Sequence, residues 1–166
     1  MPNDLVVTTL PARVLMSLKP EYYELMWQGL KTHEFRRRYL KSQPTTWYVY
    51  LTAPVSKLIA VIDLDEAVVG PPRSLAGIAE RANPGNGESV YAYLHDVELA
   101  HAMPIRTIRE YPGFTADELA AMLDGFQPPR GYTLIDQHDD WARVCDQLTE
   151  APVVREFVVR QPTQLS

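Results

Sequence analysis

The chain has 166 residues, of which 46% are hydrophobic and 22% are charged, and this composition excludes an intrinsically disordered protein. Its net charge of −5 is unevenly spread, since residues 1–60 hold eight Lys or Arg against four Asp or Glu, whereas the remainder holds eight against seventeen. Because no apolar run is long enough to cross a bilayer and the N-terminus lacks a signal-peptide pattern, we expect a cytoplasmic protein with a basic patch on an acidic body.

The N-terminal part of the chain predicts a strand, a helix and a sharp turn. Apolar residues alternate along 14–19, which is typical of a strand buried on at least one face. Pro20 suits the first position of a helix, where no backbone N–H is needed. Gly29 suits the C-terminal cap, because glycine takes the left-handed conformation without steric cost. The chain is therefore expected to turn just before Lys31.

An extended segment that includes three consecutive arginines follows this turn. The two-residue period of a strand places Glu34, Arg36 and Arg38 on one side of it. Lys31 near these groups can contact a phosphate as a point charge, while an arginine offers a planar fork. A partly desolvated lysine can instead act as a general base. In a third interpretation, Glu34 forms an ion pair with Arg36 or Lys31 that only shapes the mouth of the barrel.

The middle of the chain alternates apolar segments with turn signals. One strand is expected to be central in a well-covered sheet, because it begins with apolar residues on both faces. In chain order, the pattern predicts strands over 46–51 and 57–69, a helix over 75–82, a loop over 82–89, and strands over 89–99 and 105–108.

The C-terminal part predicts two helices and an edge strand. Thr115 and Glu118 form a capping box that opens a helix ending near Gly125. A second helix is expected over about 139–148, followed by the extended segment VVREFVV. Strands and helices do not alternate regularly, so the expected fold class is α+β, with a small mixed β-barrel flanked by helices.

One motif carries a resemblance to a known family. Gly29, Lys31, Glu34 and Arg36 match the Gly-x-Lys-x-x-Glu-x-Arg signature of the ASCH family, which lies within the PUA-like barrel superfamily. The flanking segments MSLKPEYYELMWQG and YVYLTAPVSKLIAVIDLDEAV also resemble the family in order and spacing. The length fits a single domain over 1–166. The resemblance covers an ASCH-like core at about 14–108, and the predicted helices and edge strand form a C-terminal extension at about 109–162.

The resemblance also implies a function. It favours an RNA-binding or nucleotide-binding domain with its ligand in a cleft lined by Lys31, Glu34 and Arg36. The alternative is a hydrolase of modified nucleosides, like family members that deacetylate acetylated cytidine, or a metal-dependent ribonuclease. The amidohydrolase analogy is weakened by Glu34, which stands where those enzymes have a threonine proposed as the nucleophile. The expected partner is therefore RNA, a nucleotide or a modified nucleoside, and no membrane.

The candidate site residues divide into two sets. For catalysis, Lys31 is the expected base, assisted by Glu34 or Asp63. For binding of the nucleic acid or another anion, the expected residues are Lys19, Lys31, Arg36, Arg38, Tyr48 and Tyr50, the two tyrosines as rings on which bases stack.

No metal or cofactor signature stands out in the sequence. The four histidines lack the spacing of a zinc site, and no glycine-rich phosphate loop is present. We expect no cofactor, although a ribonuclease activity would make Mg²⁺ or another divalent metal a candidate, because carboxylate-bound Mg²⁺ leaves little trace in a sequence.

Overall fold

The computed structural model describes residues 11–40 and 43–161. The N-terminal segment used above to assess a signal peptide, and the last residue of the predicted extension, lie outside these ranges. The strands are β1 Ala12–Leu18, β2 His33–Arg36, β3 Thr45–Leu51, β4 Lys57–Leu64, β5 Val68–Gly70, β6 Ala100–Thr115, β7 Tyr132–Leu134 and β8 Arg155–Val158. The helices are α1 Pro20–Trp27, α2 Pro72–Ala82, α3 Gly87–Leu94, α4 Ala116–Met122 and α5 Asp139–Leu148, with a short 3-10 helix at Ile135–Gln137.

These strands form one curled sheet in which only β1 and β3 are parallel neighbours. The strand order is β2-β6-β4-β3-β1-β7, and β5 and β8 also pair with β6. The first residues of β6 pair with β2 and β5, whereas its later residues pair with β4 and β8. Register shifts along the β4–β6 pairing bend the long strand, as β-bulges do. The sheet therefore curls into a half-barrel, and the predicted mixed α+β fold is confirmed.

Both faces of the central strands are buried, which confirms the expectation for the strand that begins at Lys57. On the concave face, Trp47 is fully buried and its indole N–H donates to the carbonyl oxygen of Met16 at 3.0 Å. On the opposite face, side chains of α4 and α5, including Leu119 and Cys145, pack against β1, β3 and β4. Tyr and Val residues that alternate along β3 therefore have apolar neighbours on either side.

Several local predictions are confirmed. Helix α1 has Pro20 in its first turn, and Gly29 follows the helix with a φ of 76°. At the start of α4, Thr115 and Glu118 each bond the other's backbone N–H at 3.1 Å, which is the predicted capping box. Helices α2 and α5 also lie where the periodicity predicted them. No helix in the described ranges is long and apolar enough to span a membrane.

The prediction of a strand over 89–99 is wrong, because residues 89–94 belong to helix α3. Val90 and Leu94, four residues apart, are buried against α2. The carboxylate of Glu80 accepts the backbone N–H groups of Gly85 and Gly87 at 2.9–3.1 Å and so fixes the loop that leads into α3. Aromatic and β-branched residues favoured a strand, and packing against α2 overrode that preference.

Two further strand predictions need revised boundaries. The strand predicted over 57–69 is divided into β4 and β5, separated by residues 65–67. The short strand predicted over 105–108 is part of the sixteen-residue β6. In both cases the apolar residues do lie in strands. The strand boundaries differ from the prediction because β6 pairs with β5 along its first residues and with β4 along its later ones.

Candidate functional site

A cleft of about 320 Å³ opens between α1, β2 and α3. Charged, polar, apolar and aromatic side chains all line it. The residues that line it are Ser17, Leu18, Lys19, Tyr22, Leu25, Lys31, Glu34, Phe35, Arg36, Asn86, Ser89, Val90 and Tyr93. The three charged residues that define the Gly-x-Lys-x-x-Glu-x-Arg motif therefore share one cavity.

The end of α1 directs Lys31 into this cleft. After the left-handed Gly29, the backbone N–H groups of Leu30 and Lys31 both donate to the carbonyl oxygen of Leu25, at 2.9 and 3.2 Å. The Lys31 ammonium then lies 5.1 Å from the centre of the Phe35 ring, a cation–π distance. Only 9% of the residue is exposed, so the lysine is held by its surroundings rather than free in solvent.

Glu34 lies between two cations. Its Oε1 is 3.5 Å from the Lys31 Nζ and accepts the backbone N–H of Phe35 at 3.1 Å, while its Oε2 is 3.6 Å from an Arg36 Nη2. The residue is 5% exposed. We call Lys31, Glu34 and Arg36 the charged triad, and its formal charge is +1.

The charged triad is not fully satisfied by hydrogen bonds within the described residues. Arg36 donates from Nη2 to the carbonyl oxygen of Ser17 at 3.3 Å, but its buried Nε has no acceptor, and the buried Oε2 of Glu34 has no donor. Buried polar groups are nearly always paired when their role is purely structural. The triad therefore has a donor and an acceptor that can bond a further partner in the cleft.

Helix α3 supplies a wall of the cleft that the sequence analysis missed. Asn86, Ser89, Val90 and Tyr93 line it, and they are spaced three, one and three residues apart, as on one face of a helix. That spacing is the helical signal in this segment, but its aromatic and β-branched residues favour a strand and obscure it. The Tyr93 side chain, with Tyr22 opposite it, gives the cleft exposed aromatic surface.

Of the other predicted cationic binding residues, Lys19 lines the cleft and Arg38 does not. Lys19 is exposed, lines the cleft, and lies 5.7 Å from the centre of the Tyr22 ring. Arg38 was expected on the strand face of Glu34 and Arg36, but β2 ends at Arg36. Its side chain lines an adjacent groove instead of the cleft.

Tyr48, Tyr50 and Asp63 lie away from the cleft. The two tyrosines are 6% and 2% exposed and pack in the core beneath α4 and α5, on the other face of the sheet. Asp63 lies on β4, where its carboxylate accepts from Thr107 and from Arg109. Among the residues that line the cleft, the exposed aromatic rings are those of Tyr22 and Tyr93, and the one carboxylate is that of Glu34.

No metal centre forms among the described residues, where no three His, Cys, Asp or Glu side chains come together in a group that could hold an ion. His33, His95, His101 and His138 lie on separate elements of the fold or at their ends. The cleft contains one carboxylate, that of Glu34, and Mg²⁺ is usually bound through one or two carboxylates together with waters and substrate phosphates.

His33, next to the charged triad in sequence, makes the stability of the fold depend on pH. Burial, with the charges of Lys31 and Arg81, lowers the pKa of its imidazole to about 4. An unfolded histidine has a pKa of about 6.5, so the unfolded chain binds the proton first as the pH falls. We expect this residue to stabilise the fold fully above pH 6.5, and to contribute about 2 kcal/mol less at pH 5 than at pH 7.5.

Urea unfolding at a series of pH values between 5 and 7.5 measures this effect. His33→Gln removes the titrating group and should flatten the decline, whereas His138→Gln, which changes an exposed histidine before α5, should leave it intact. Equal declines in the wild type and in His33→Gln would contradict the assignment.

Comparisons with known proteins agree with the resemblance seen in the sequence. No family model matches the chain. The chain is 28% identical over 136 residues to an ASCH domain-containing ribonuclease from Zymomonas mobilis subsp. mobilis, an alignment that covers 80% of this chain and 92% of that protein. The crystal structure of ASCH from Zymomonas mobilis matches with a TM-score of 0.70 and 26% identity, covering 82% of this chain and 95% of the solved chain. The crystal structure of a Tyr-to-Phe variant from the same organism matches with a TM-score of 0.70 and 25% identity, covering 82% of this chain and 98% of the solved chain. The predicted resemblance to the ASCH family is therefore confirmed.

Proposed function

We propose that this chain, which shares its fold with the ASCH protein of Zymomonas mobilis, is an RNA-binding domain whose cleft takes a phosphate that contacts Lys31 and Arg36, the two cations on either side of Glu34. The observation that carries the proposal is the charged triad itself, an incompletely hydrogen-bonded group of two cations and one carboxylate lining an open cleft. The name of the curated relative, a ribonuclease, supports RNA as the ligand.

Charge balance favours an anion at this position. The charged triad has a net charge of +1, and Lys19 at the rim adds a further positive charge. A phosphate entering the cleft would therefore be attracted although the whole chain is acidic, because the field inside a narrow cleft is set by its nearest groups. The rings of Tyr22 and Tyr93 would lie against the base or the ribose, as aromatic side chains do in proteins that bind single strands.

Removing either cation of the charged triad should weaken RNA binding. For Lys31→Ala or Arg36→Ala, we expect the affinity for short single-stranded RNA to fall about tenfold to a hundredfold, the usual effect of losing a charged hydrogen bond. The slope of log K against log salt should also become shallower by about 0.7 for each phosphate contact that is lost. Fluorescence anisotropy with a labelled RNA, repeated at several salt concentrations, measures both quantities.

Two matched variants control for the change of charge. Lys57→Ala removes a lysine at the start of β4, and Arg143→Ala removes an exposed arginine of α5, and neither residue lines the cleft. Both controls should bind RNA like the wild type. If the two cleft variants bind as tightly as these controls, the phosphate site is misplaced.

A second candidate function is cleavage of the bound RNA, which is favoured by the name of the relative and by the Oε2 of Glu34, an atom that has an ion-pair contact with Arg36 but accepts no hydrogen bond among the described residues. The terminal torsion of a glutamate side chain is soft, so a small rotation turns Oε2 towards a ligand in the cleft. An ammonium group paired with a carboxylate has a proton to give and no lone pair to accept one. In this reaction Glu34, rather than Lys31 as expected from the sequence, would be the base.

The corresponding reaction needs only groups of this chain and the RNA. The 2′-hydroxyl oxygen attacks the adjacent phosphorus while its proton passes to Glu34, and the bond from phosphorus to the 5′ oxygen breaks. The leaving oxygen takes a proton from the Lys31 ammonium, and a 2′,3′-cyclic phosphate results. Arg36 stabilises the extra negative charge on the phosphorane as it develops. Incubation with RNA in the presence and absence of EDTA, followed by mass spectrometry, would detect that product or its absence.

A further inference from the structure

A second groove of about 410 Å³ lies beside the cleft. Arg36 and Tyr93 line both cavities, so the two are adjacent. Beyond these shared residues, the groove is bounded by Arg37, Arg38 and Tyr132. A ligand that fills the cleft and extends past Arg36 would therefore enter this groove.

The groove is basic. Arg37 is paired with Asp96 at 2.8 Å and lies 5.3 Å from the centre of the Tyr93 ring, which fixes its position. Arg38 is exposed, and within the described ranges no carboxylate lies within ion-pair distance of it. With Arg36 at the junction, three arginines face one aspartate, so the groove complements the repeated negative charges of a nucleic-acid backbone.

Aromatic rings accompany these charges. Tyr93 is 43% exposed and Tyr132 is 38% exposed, so both rings are accessible to a ligand. Tyr132 is held edge-on against the buried Tyr39 at a ring distance of 5.6 Å, so it presents its surface at little cost in side-chain entropy. Exposed rings beside arginines are the arrangement on which successive bases stack in proteins that bind single strands.

Resting on the proposed function, we infer that the ligand is a single-stranded oligonucleotide of at least two nucleotides, and that the groove of Arg37, Arg38, Tyr93 and Tyr132 holds the nucleotide next to the one in the cleft. Arg38 contacts its phosphate, and the ring of Tyr132 stacks on its base. A free mononucleotide fills the cleft alone and leaves these groups without a partner.

Isothermal titration with two uncleavable probes tests this second subsite. The probes are uridine monophosphate and a 2′-O-methyl tetrauridylate, which lacks the hydroxyl needed for cleavage. We expect the tetranucleotide to bind at least tenfold more tightly than the mononucleotide. Arg38→Ala and Tyr132→Ala should each weaken tetranucleotide binding several-fold and leave mononucleotide binding unchanged, and Arg38→Ala should reduce its salt slope by about 0.7.

The controls separate this inference from the proposed function. Tyr132→Phe retains the ring and should bind the tetranucleotide like the wild type, as should Arg143→Ala on α5. Equal affinities for the two probes, or an equal loss of both in Arg38→Ala, would overturn the second subsite while leaving the RNA-binding cleft in place. If neither probe binds the wild type, the proposed function itself is wrong and the subsite falls with it.

Discussion

Glu34→Gln is expected to lower the rate of RNA cleavage by about 10²-fold to 10⁴-fold, the usual contribution of a general base. The amide keeps the shape of the side chain but cannot take a proton from the 2′-hydroxyl. RNA binding should become tighter in the same variant, because the cleft loses its one negative charge and keeps Lys31 and Arg36. Opposite changes in rate and affinity distinguish this role from a loss of fold, which would reduce both.

The same variant should also be less stable without ligand. Glu34 is 5% exposed and separates two cations, and removing one partner from a buried ion pair costs about 3 kcal/mol. A bound phosphate supplies the missing negative charge, so RNA should raise the melting temperature of Glu34→Gln more than that of the wild type. Thermal unfolding with and without RNA measures this difference.

Glu110→Gln is the matched control for Glu34→Gln. Glu110 is also a partly buried carboxylate of the sheet, paired with Arg155 and accepting from Tyr23, but it lies outside the cleft. Glu110→Gln should lower the stability of the fold without changing the cleavage rate or the RNA affinity. A wild-type cleavage rate in Glu34→Gln would exclude Glu34 as the base, and a wild-type protein that leaves RNA intact would restrict the function to binding.

Gly113→Ala is expected to destabilise the fold by about 3 kcal/mol or more. In the β4–β6 pairing, Leu58 is opposite Phe114 and Ala60 is opposite Glu110, so β6 places three residues where β4 has one. Gly113 lies in that bulge with a φ of 80°. A Cβ there would lie 2.5 Å from the carbonyl oxygen of Leu58 and 3.2 Å from the Cα of Ile59, and both of these atoms belong to the backbone.

Gly125→Ala separates the clash from the conformational cost. Gly125 has a similar φ of 72°, but a Cβ at this position meets no atom within 4 Å. Gly125→Ala should therefore destabilise the fold by only about 1 kcal/mol. Urea unfolding of the two variants measures the difference, and equal losses would show that strain, rather than the close approach of β4 and β6, dominates at Gly113.

The sequence alone identified the charged triad, because the rules involved are local. The proline and glycine that bound α1 fix where the chain turns, and the strand period then puts Glu34 and Arg36 on one side. Those groups lie within ten residues of one another, so chain geometry over a short distance suffices to bring Lys31 to them. The resemblance to the ASCH family rested on the same residues, and it is confirmed.

The tertiary structure decided which other residues surround the charged triad. Tyr48 and Tyr50 are the same type of residue as Tyr22 and Tyr93, but α4 and α5 cover the sheet face on which the first two lie. Whether a ring is buried depends on which distant element packs over it, and no local pattern contains that information.

Helix α3 shows the same limit. Its residues favour a strand by composition, yet Val90 becomes buried against α2 and Tyr93 thereby reaches the cleft. The sequence determined the chemical groups of the site, the helix boundaries near them and the mixed class of the fold. The tertiary structure decided which walls surround those groups, because burial and strand pairing depend on contacts between residues that are far apart in the chain.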